Sequence, residues 1–233
     1  CSRSARSSSV SVSAEMSTAA DTLALPVALP NYNAPVITSN GAGASASINV
    51  GENSTAVATV TATDADLPAQ TLTYSIAGGA DAARFTINAT TGALSFVAAP
   101  DYEAPTDAGA DNVYDVTVLV SDGTSSDAQA IAVTVTAADD NAPVITSNGG
   151  GATASVSVGE NTAAVTTVAA TDADLPAQTL TYSISGGADA ARFTIDSATG
   201  ALSFAAAPDY EAPTDVGADN IYDVRVLVSD GTS

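Results

Sequence analysis

Short runs in which apolar and polar residues alternate recur along the chain, and they predict strands. The clearest is Tyr114-Asp115-Val116-Thr117-Val118-Leu119-Val120. Successive side chains of a strand point to opposite faces, so Tyr114, Val116, Val118 and Val120 share one face and Asp115 and Thr117 the other. Ile131, Val133 and Val135 repeat the pattern within 130–136. Further runs rich in Val, Thr and aromatic residues predict strands near 48–50, 56–62, 72–76, 84–87 and 93–96, with a short first strand near Val36. Gly78-Gly79 and Thr91-Gly92 punctuate them as turns. Seven or so strands of this kind form an all-β, Ig-like sandwich.

The unit occurs twice. Asn33-Ala34-Pro35-Val36-Ile37-Thr38 returns as Asn141-Ala142-Pro143-Val144-Ile145-Thr146, and about 77 of about 93 aligned positions are identical. A shift of about 108 residues is too long for a solenoid repeat and fits tandem autonomous domains. The expected division is a leader at 1–30, module one at 31–138 and module two at 139–233. The second copy stops at Ser233, the counterpart of Ser125, so module two has no last strand within this chain. That leaves a core seam and an unpaired edge, which a continuing chain or another segment would cover.

Residues 1–30 are rich in Ser and Ala, and the composition predicts a flexible leader. Two pieces of it read as strands, the alternating Ser9-Val10-Ser11-Val12-Ser13 and the apolar Leu23-Ala24-Leu25-Pro26-Val27. Either suits addition to an open sheet edge.

Charge narrows the function. The chain carries 26 Asp plus Glu against 5 Lys plus Arg, for a formal net charge of -21. Such an excess repels phosphate backbones and anionic lipid, which excludes nucleic acid and makes divalent cations the natural counter-charge. With no His and a single Cys at position 1, the usual zinc ligand sets, intrachain disulfides and His-based catalytic arrangements cannot be assembled. No apolar run is long enough to span a bilayer. Cys1 reads either as the acylated residue of a bacterial lipoprotein or as a fragment boundary, so any membrane attachment would come through its lipidation or through further parts of the parent chain.

The acids sit in small motifs at strand ends: Gly51-Glu52-Asn53, Asp64-Ala65-Asp66, Asp101-Tyr102-Glu103, Ser121-Asp122-Gly123 and, between the modules, Asp139-Asp140-Asn141-Ala142-Pro143. In this order they resemble the cadherin repeat, with its Glu-Asn, Asp-x-Asp, Asp-Tyr-Glu and linker Asp-x-Asn-Asp-Asn-x-Pro patterns, over about residues 33–233. The resemblance, to a bacterial cadherin-like repeat, implies two tandem Greek-key sandwiches that bind calcium between them, in a large surface adhesin or secreted protein. It implies a site built from Glu52, Asp101 and Glu103 of module one, Asp139, Asp140 and Asn141 of the linker, and Asp172, Asp174 and Asp230 of module two. Calcium chemistry agrees, because the ion takes about 6–8 oxygen ligands in tolerant geometry, and an extended Asp-x-Asp projects both carboxylates to one side.

Two departures weaken the match. Ala137 stands where the family linker begins with Asp, and Asp139 where it has Asn. Module one is entered through Leu29-Pro30-Asn31-Tyr32-Asn33, without the linker Asp. Asp64, Asp66 and Asp122 are then a half-site without an upstream module, and Glu160, Asp209 and Glu211 one without a downstream module; both should bind calcium weakly or not at all.

The remaining acids read as surface. Asp107, Asp111 and their copies Asp215 and Asp219 belong to a loop, and Asp81 with Arg84, like Asp189 with Arg192, reads as a local turn pair. Tyr74 and Phe85 read as core aromatics.

The expected function is a calcium-stiffened spacer and adhesion module outside the cell, on a bacterial surface or secreted, whose partner is a protein or glycan and includes self. The alternative is a fibre subunit whose module two accepts a strand from a neighbour's leader. A polysaccharide-binding accessory module, or a glycosidase using Asp101 and Glu103, ranks last, because 5% aromatic residues and no Trp give no sugar platform. The chain is not expected to be an enzyme.

Overall fold

The computed structural model describes residues 33–232. The expectations for the leader, for Cys1 and for 29–32 lie outside the described residues.

Module one contains β1 (Val36–Ile37), β2 (Ser45–Gly51), β3 (Ala56–Thr59), β4 (Ala62–Thr63) and β5 (Thr73–Gly78). A single turn of 3-10 helix leads into β6 (Phe85–Ile87), followed by β7 (Ala93–Phe96), β8 (Val113–Ser121) and β9 (Ser126–Thr136). One sheet has the order β2-β9-β8-β5 and faces a second of order β3-β7-β6, while β1 pairs with β4. β9 is the keystone. It runs parallel to β2 from Ser45↔Ala130 to Gly51↔Thr136, and antiparallel to β8 from Val113↔Thr134 to Ser121↔Ser126.

The alternation in the sequence becomes the core. Tyr114, Val116, Val118 and Val120 of β8 and Ile131, Val133 and Val135 of β9 are buried against Phe85, Leu94 and Phe96 of the facing sheet. Phe85 stacks on Phe96 with centroids 4.6 Å apart, and Tyr114 meets Phe96 edge-on at 5.2 Å, a preferred aromatic geometry. The single strand expected over 56–62 divides. Its first part pairs with β7, the chain shifts register between Ala56 and Ala58, and β4 pairs with β1 on the other side. At the crossover Val60 is fully buried and donates its N–H to the Gly92 carbonyl. Gly92 is required there: it has φ +70, and a Cβ would sit 2.1 Å from the Val60 carbonyl oxygen.

Asp81 is not the partner of a surface turn pair. It is buried, and its carboxylate accepts the N–H groups of Ala108 at 2.7 Å and Asp115 at 2.9 Å, pinning the loop before β8. Asp107 is likewise buried and not surface charge. It accepts the N–H groups of Gly109, Asp111 and Asn112. Burial alone would raise its pKa, but these amides outweigh burial and hold the carboxyl below its ordinary range. Asp189 and Asp215 are buried in the same way in module two.

Module two repeats the frame with β10 (Val144–Ile145), β11 (Ala164–Thr167), β12 (Ala170–Thr171), β13 (Thr181–Gly186), β14 (Phe193–Ile195), β15 (Ala201–Phe204) and β16 (Arg225–Ser229). Its aromatic trio is the same, with Phe193 and Phe204 stacked at 4.7 Å. With no β9 counterpart, residues 153–158, which match β2, form no ladder, and β16 has five residues where β8 has nine. A strand flanked by water on its pairing side loses the hydrogen bonds that define it. The core opens accordingly: Tyr222, Val224 and Val226 are half-buried where Tyr114, Val116 and Val118 are fully buried.

Calorimetry should therefore resolve two transitions, module two unfolding first. Phe85→Ala, removing about 3–5 kcal/mol, should lower the upper transition and leave the lower one in place; a single transition shifted as a whole would refute the assignment. Asp107→Ala removes the buried carboxylate that accepts three loop amides and should cost about 1–3 kcal/mol in urea unfolding, whereas Asp111→Ala, at an exposed position, should cost less than about 1.

Candidate functional site at the module joint

The joint is built where strand ends of module one meet the Asp-x-Asp turn of module two. β2 ends at Gly51, and the chain turns through Glu52 and Asn53, the latter in the left-handed region at φ +61 that Asn tolerates. Glu52 is 7% exposed and clasps two strands' ends. Its Oε2 accepts the Tyr102 N–H at 2.7 Å and its Oε1 the Ala138 N–H at 2.6 Å, so the linker leaves β9 already tied to the acid. Asp101 shapes the next turn by accepting the N–H groups of Glu103 at 3.0 Å and Ala104 at 3.1 Å. That turn sends Glu103 across the joint, where its Oε1 accepts the Leu175 N–H of module two at 3.0 Å.

On the far side Asp174, 1% exposed, holds the linker. Asn141 donates its side-chain N–H to Asp174 Oδ1 at 2.7 Å and its backbone N–H to both carboxylate oxygens at 3.2 Å. The Asn141 side chain first, and its amide with it, pulls the Asp174 carboxyl below the usual range. Asp172 Oδ1 accepts the Asp174 N–H at 3.0 Å. Thr232 Oγ1 donates to Asp139, and the Thr232 N–H to Asp230 at 2.7 Å, which joins the linker to the end of β16.

Two carboxylate groupings result. In each, one oxygen of every member lies within 4.8 Å of the others: Glu52, Asp101 and Glu103 in the first, Glu103, Asp140 and Asp174 in the second. Glu103 belongs to both. Asp139, Asp172 and Asp230 belong to neither grouping. Two oxygens on one calcium ion are about 5 Å apart at most, given bond lengths of about 2.3–2.6 Å, so each grouping is narrow enough for a shared ion. Glu103 Oε2 and Asp172 Oδ2 are buried without a hydrogen-bond partner. A buried, unpartnered carboxylate oxygen is costly unless a cation completes it, and an all-oxygen set suits a hard divalent ion.

At the end of module one away from the joint, Asn33 binds Asp66 through backbone and side chain, Asp64 Oδ1 accepts the Asp66 N–H, and Asp122 closes its own turn on Thr124 and Ser125. Asp64 Oδ2, like its counterpart on Asp172, is buried without a hydrogen-bond partner. At the other end Glu160, Asp209 and Glu211 form a third grouping, fully exposed. Glu211 is pulled down by its own amide, but Glu160, desolvation and Asp209 together hold its carboxyl above the usual range.

Asn53 was not foreseen as a site residue. Its side chain donates to Asp140 Oδ2 across the joint. The only signal was its place in the Gly-Glu-Asn triplet, which does not say that the amide reaches a residue 87 positions away.

Comparison with known proteins agrees with this architecture. The family model described as "Cadherin domain" matches residues 46–138 and 154–233. Protocadherin Fat 1 of Homo sapiens is 34% identical over 136 residues, 55% of this chain and 3% of that protein, so the chain spans a small fraction of that relative's length. The structure of human Protocadherin-24 EC1-2 aligns with a TM-score of 0.62 and 23% identity, over 85% of this chain and 94% of that one. The human desmocollin-1 ectodomain aligns with a TM-score of 0.58 and 23% identity, over 86% of this chain and 38% of that one. These relatives are human cadherins, so the resemblance holds at the level of the cadherin domain and not of a bacterial subset. Cadherin domains are extracellular adhesion modules that bind calcium between repeats, and none of these relatives is an enzyme. The chain belongs to the cadherin domain family, as two tandem domains.

Proposed function

We propose that this chain is a calcium-stiffened spacer and adhesion module, divided near residue 138, in which calcium locks module one to module two. The carrying observation is Glu103, which reaches Asp140 of the linker and Asp174 of module two while one of its oxygens lies buried and unpartnered. Glu52, Asp101 and Glu103 hold one ion and Glu103, Asp140 and Asp174 a second. Asp139, Asn141, Asp172 and Asp230 serve the module-two side. The ion supplies positive charge and oxygen coordination; the protein supplies the acids, and the backbone amides on Glu52 and Asp174 keep them aimed.

Without the ion, like charges crowd the joint and repel. With it, acids of both modules share ligands and the joint stiffens. Extracellular modules of this kind bind at about 0.1–1 mM calcium. Asp64, Asp66 and Asp122, and the exposed Glu160, Asp209 and Glu211, bind more weakly, each lacking a facing module in this chain. The parent would be a cell-surface or secreted protein, with an adhesion partner that is another protein, a glycan or a second copy.

Calcium titration by calorimetry should detect submillimolar binding that Asp172→Ala with Asp174→Ala weakens at least about tenfold, and small-angle scattering should show the molecule lengthen on loading. No heat at several millimolar calcium would overturn the reading.

Acid acts through Asp174. Its pKa is lowered in the folded joint, so the stabilisation is fully present above the usual carboxylate range and is lost as pH falls through the lower, folded value. In chelator, the Asn141 side-chain amide resonance should keep its position until that low pH and then shift. Glu211, raised instead, should protonate first, with its module gaining stability as pH falls through its folded value. A joint that loosens at ordinary carboxylate pH would contradict the Asn141 clasp.

A further inference from the structure

In module one β2 is an edge strand, and among the described residues no strand pairs with its outer side. The bonds that flank its ladder run from the Ala130 N–H to the Ala44 carbonyl and from the Glu52 N–H to the Thr136 carbonyl, so Ala46, Ile48 and Val50 turn their backbone groups toward β9. The N–H and C=O groups of Ser45, Ser47, Asn49 and Gly51 therefore point away from the sheet. Other edges of module one are blunted. β3 has four residues and a register shift, β6 has three, and on β5 the Tyr74 N–H is taken by the Ala89 carbonyl at 3.0 Å. β2 runs for seven residues without a bulge, a proline or a charge, which are the devices that keep exposed edges from pairing. No charged residue occurs from 33 to 51, in a chain of formal charge -21. The β9 residues beside Ser45 and Ser47 are Ala130 and Ala132, so no long side chain overhangs the edge.

We propose that the β2 edge docks on the β2 edge of a second copy of this chain, antiparallel, about a two-fold axis through Ile48. The proposal rests on the adhesion reading above and commits its partner to a second copy. In that register Ser47 faces Asn49 and Ser45 faces Gly51, each pair exchanging two backbone hydrogen bonds. All the outward groups of the edge are then satisfied. The side chains match on both faces. Ala46 comes opposite Val50 and Ile48 opposite its own copy, where Ala46 and Ile48 are half-buried at the margin of the core. Ser45, Ser47 and Asn49, all exposed, lie together on the other face. Moving the axis by one residue in either direction leaves Ser45 or Gly51 without its partner.

Charge favours the same arrangement. Antiparallel pairing sets the acidic joint that follows Gly51 beside the uncharged Gly41-Ala42-Gly43-Ala44 of the other copy and keeps the two joints at opposite ends. A parallel pairing would bring the two joints together. The contact is isologous, so it closes at two copies and joins two four-stranded sheets into one. An unrelated extended peptide offers the same backbone hydrogen bonds, but it has no reason to match both faces of β2 residue for residue.

Sedimentation equilibrium of the full chain tests this, carried to about 1 mM because strand pairing alone buries less than a standard interface. A monomer–dimer equilibrium should appear and tighten with added salt, which screens the like charges of the two copies. Ser47→Pro removes an outward N–H that module one does not use, and should weaken the dimer at least about tenfold. Ser47→Asp with Asn49→Asp sets acids opposite each other and should weaken it at least about tenfold, whereas Ser47→Lys with Asn49→Asp sets opposite charges face to face and should tighten it at least about threefold. With Cys1→Ser in place, Ile48→Cys should give a disulfide-linked dimer, because a pair without hydrogen bonds holds its Cα atoms about 4.5 Å apart, within disulfide reach. Val50→Cys, which faces Ala46, should not. A chain that stays monomeric, a dimer indifferent to Ser47→Pro and to the paired acids, or equal cross-linking at 48 and 50 would overturn the proposal. Calcium titration of the Ser47→Pro chain should match that of the parent, so loss of pairing and loss of ion binding are separate results.

Discussion

Every backbone amide and carbonyl of a central strand must find a partner, and in this molecule that requirement falls on β9. It satisfies β2 on one edge and β8 on the other, and its inward side chains close the core. The two modules amount to an internal comparison, since their sequences are nearly the same up to the point where β9 begins. Remove that one strand and a second, 153–158, ceases to be a strand, β16 shortens, and the tyrosine at the centre of the core passes from buried to half-buried. The facing sheet, β11-β15-β14, has the same order as β3-β7-β6.

The same strand also sets the electrostatics of the joint. β9 runs straight into Ala138, whose amide caps Glu52, so the acid that begins the site is buried and aimed by the strand that ends the module. The counterpart Glu160 accepts the Tyr210 amide, and it stands exposed beside a Glu211 whose pKa it helps to raise. Three acids of identical spacing are therefore partly buried in one module and exposed in the other. Carboxylates become ligands here by virtue of the amides that fix them.

Much of this was legible in the residues. Period-two alternation located the strands because one face of each is buried, and the two-module frame followed from near-identity at a fixed shift. The acids that gather at the joint lie at strand ends, where short motifs keep their spacing. What escaped was set by contacts distant in sequence. Asp107 and Asp81 read as surface charge because burial of a carboxylate depends on which loop folds over it, and the loop of 107–115 closes only when β8 is in place. The division of 56–62 into β3 and β4 was hidden because the residues suit one strand, and only the competing partners β7 and β1 pull them apart. Asn53 shows the same limit, its value at the joint resting on Asp140 of the linker.

The joint asks little of the rest of module two. Asp174 meets Glu103 and Asp140 through the turn that carries Asp172 and Asp174. That turn precedes β13 and is anchored by Asn141, so it is formed even though residues 153–158 make no ladder. The geometry of the acids is therefore set by local amide clasps and by the linker, and not by completion of the sheet below them.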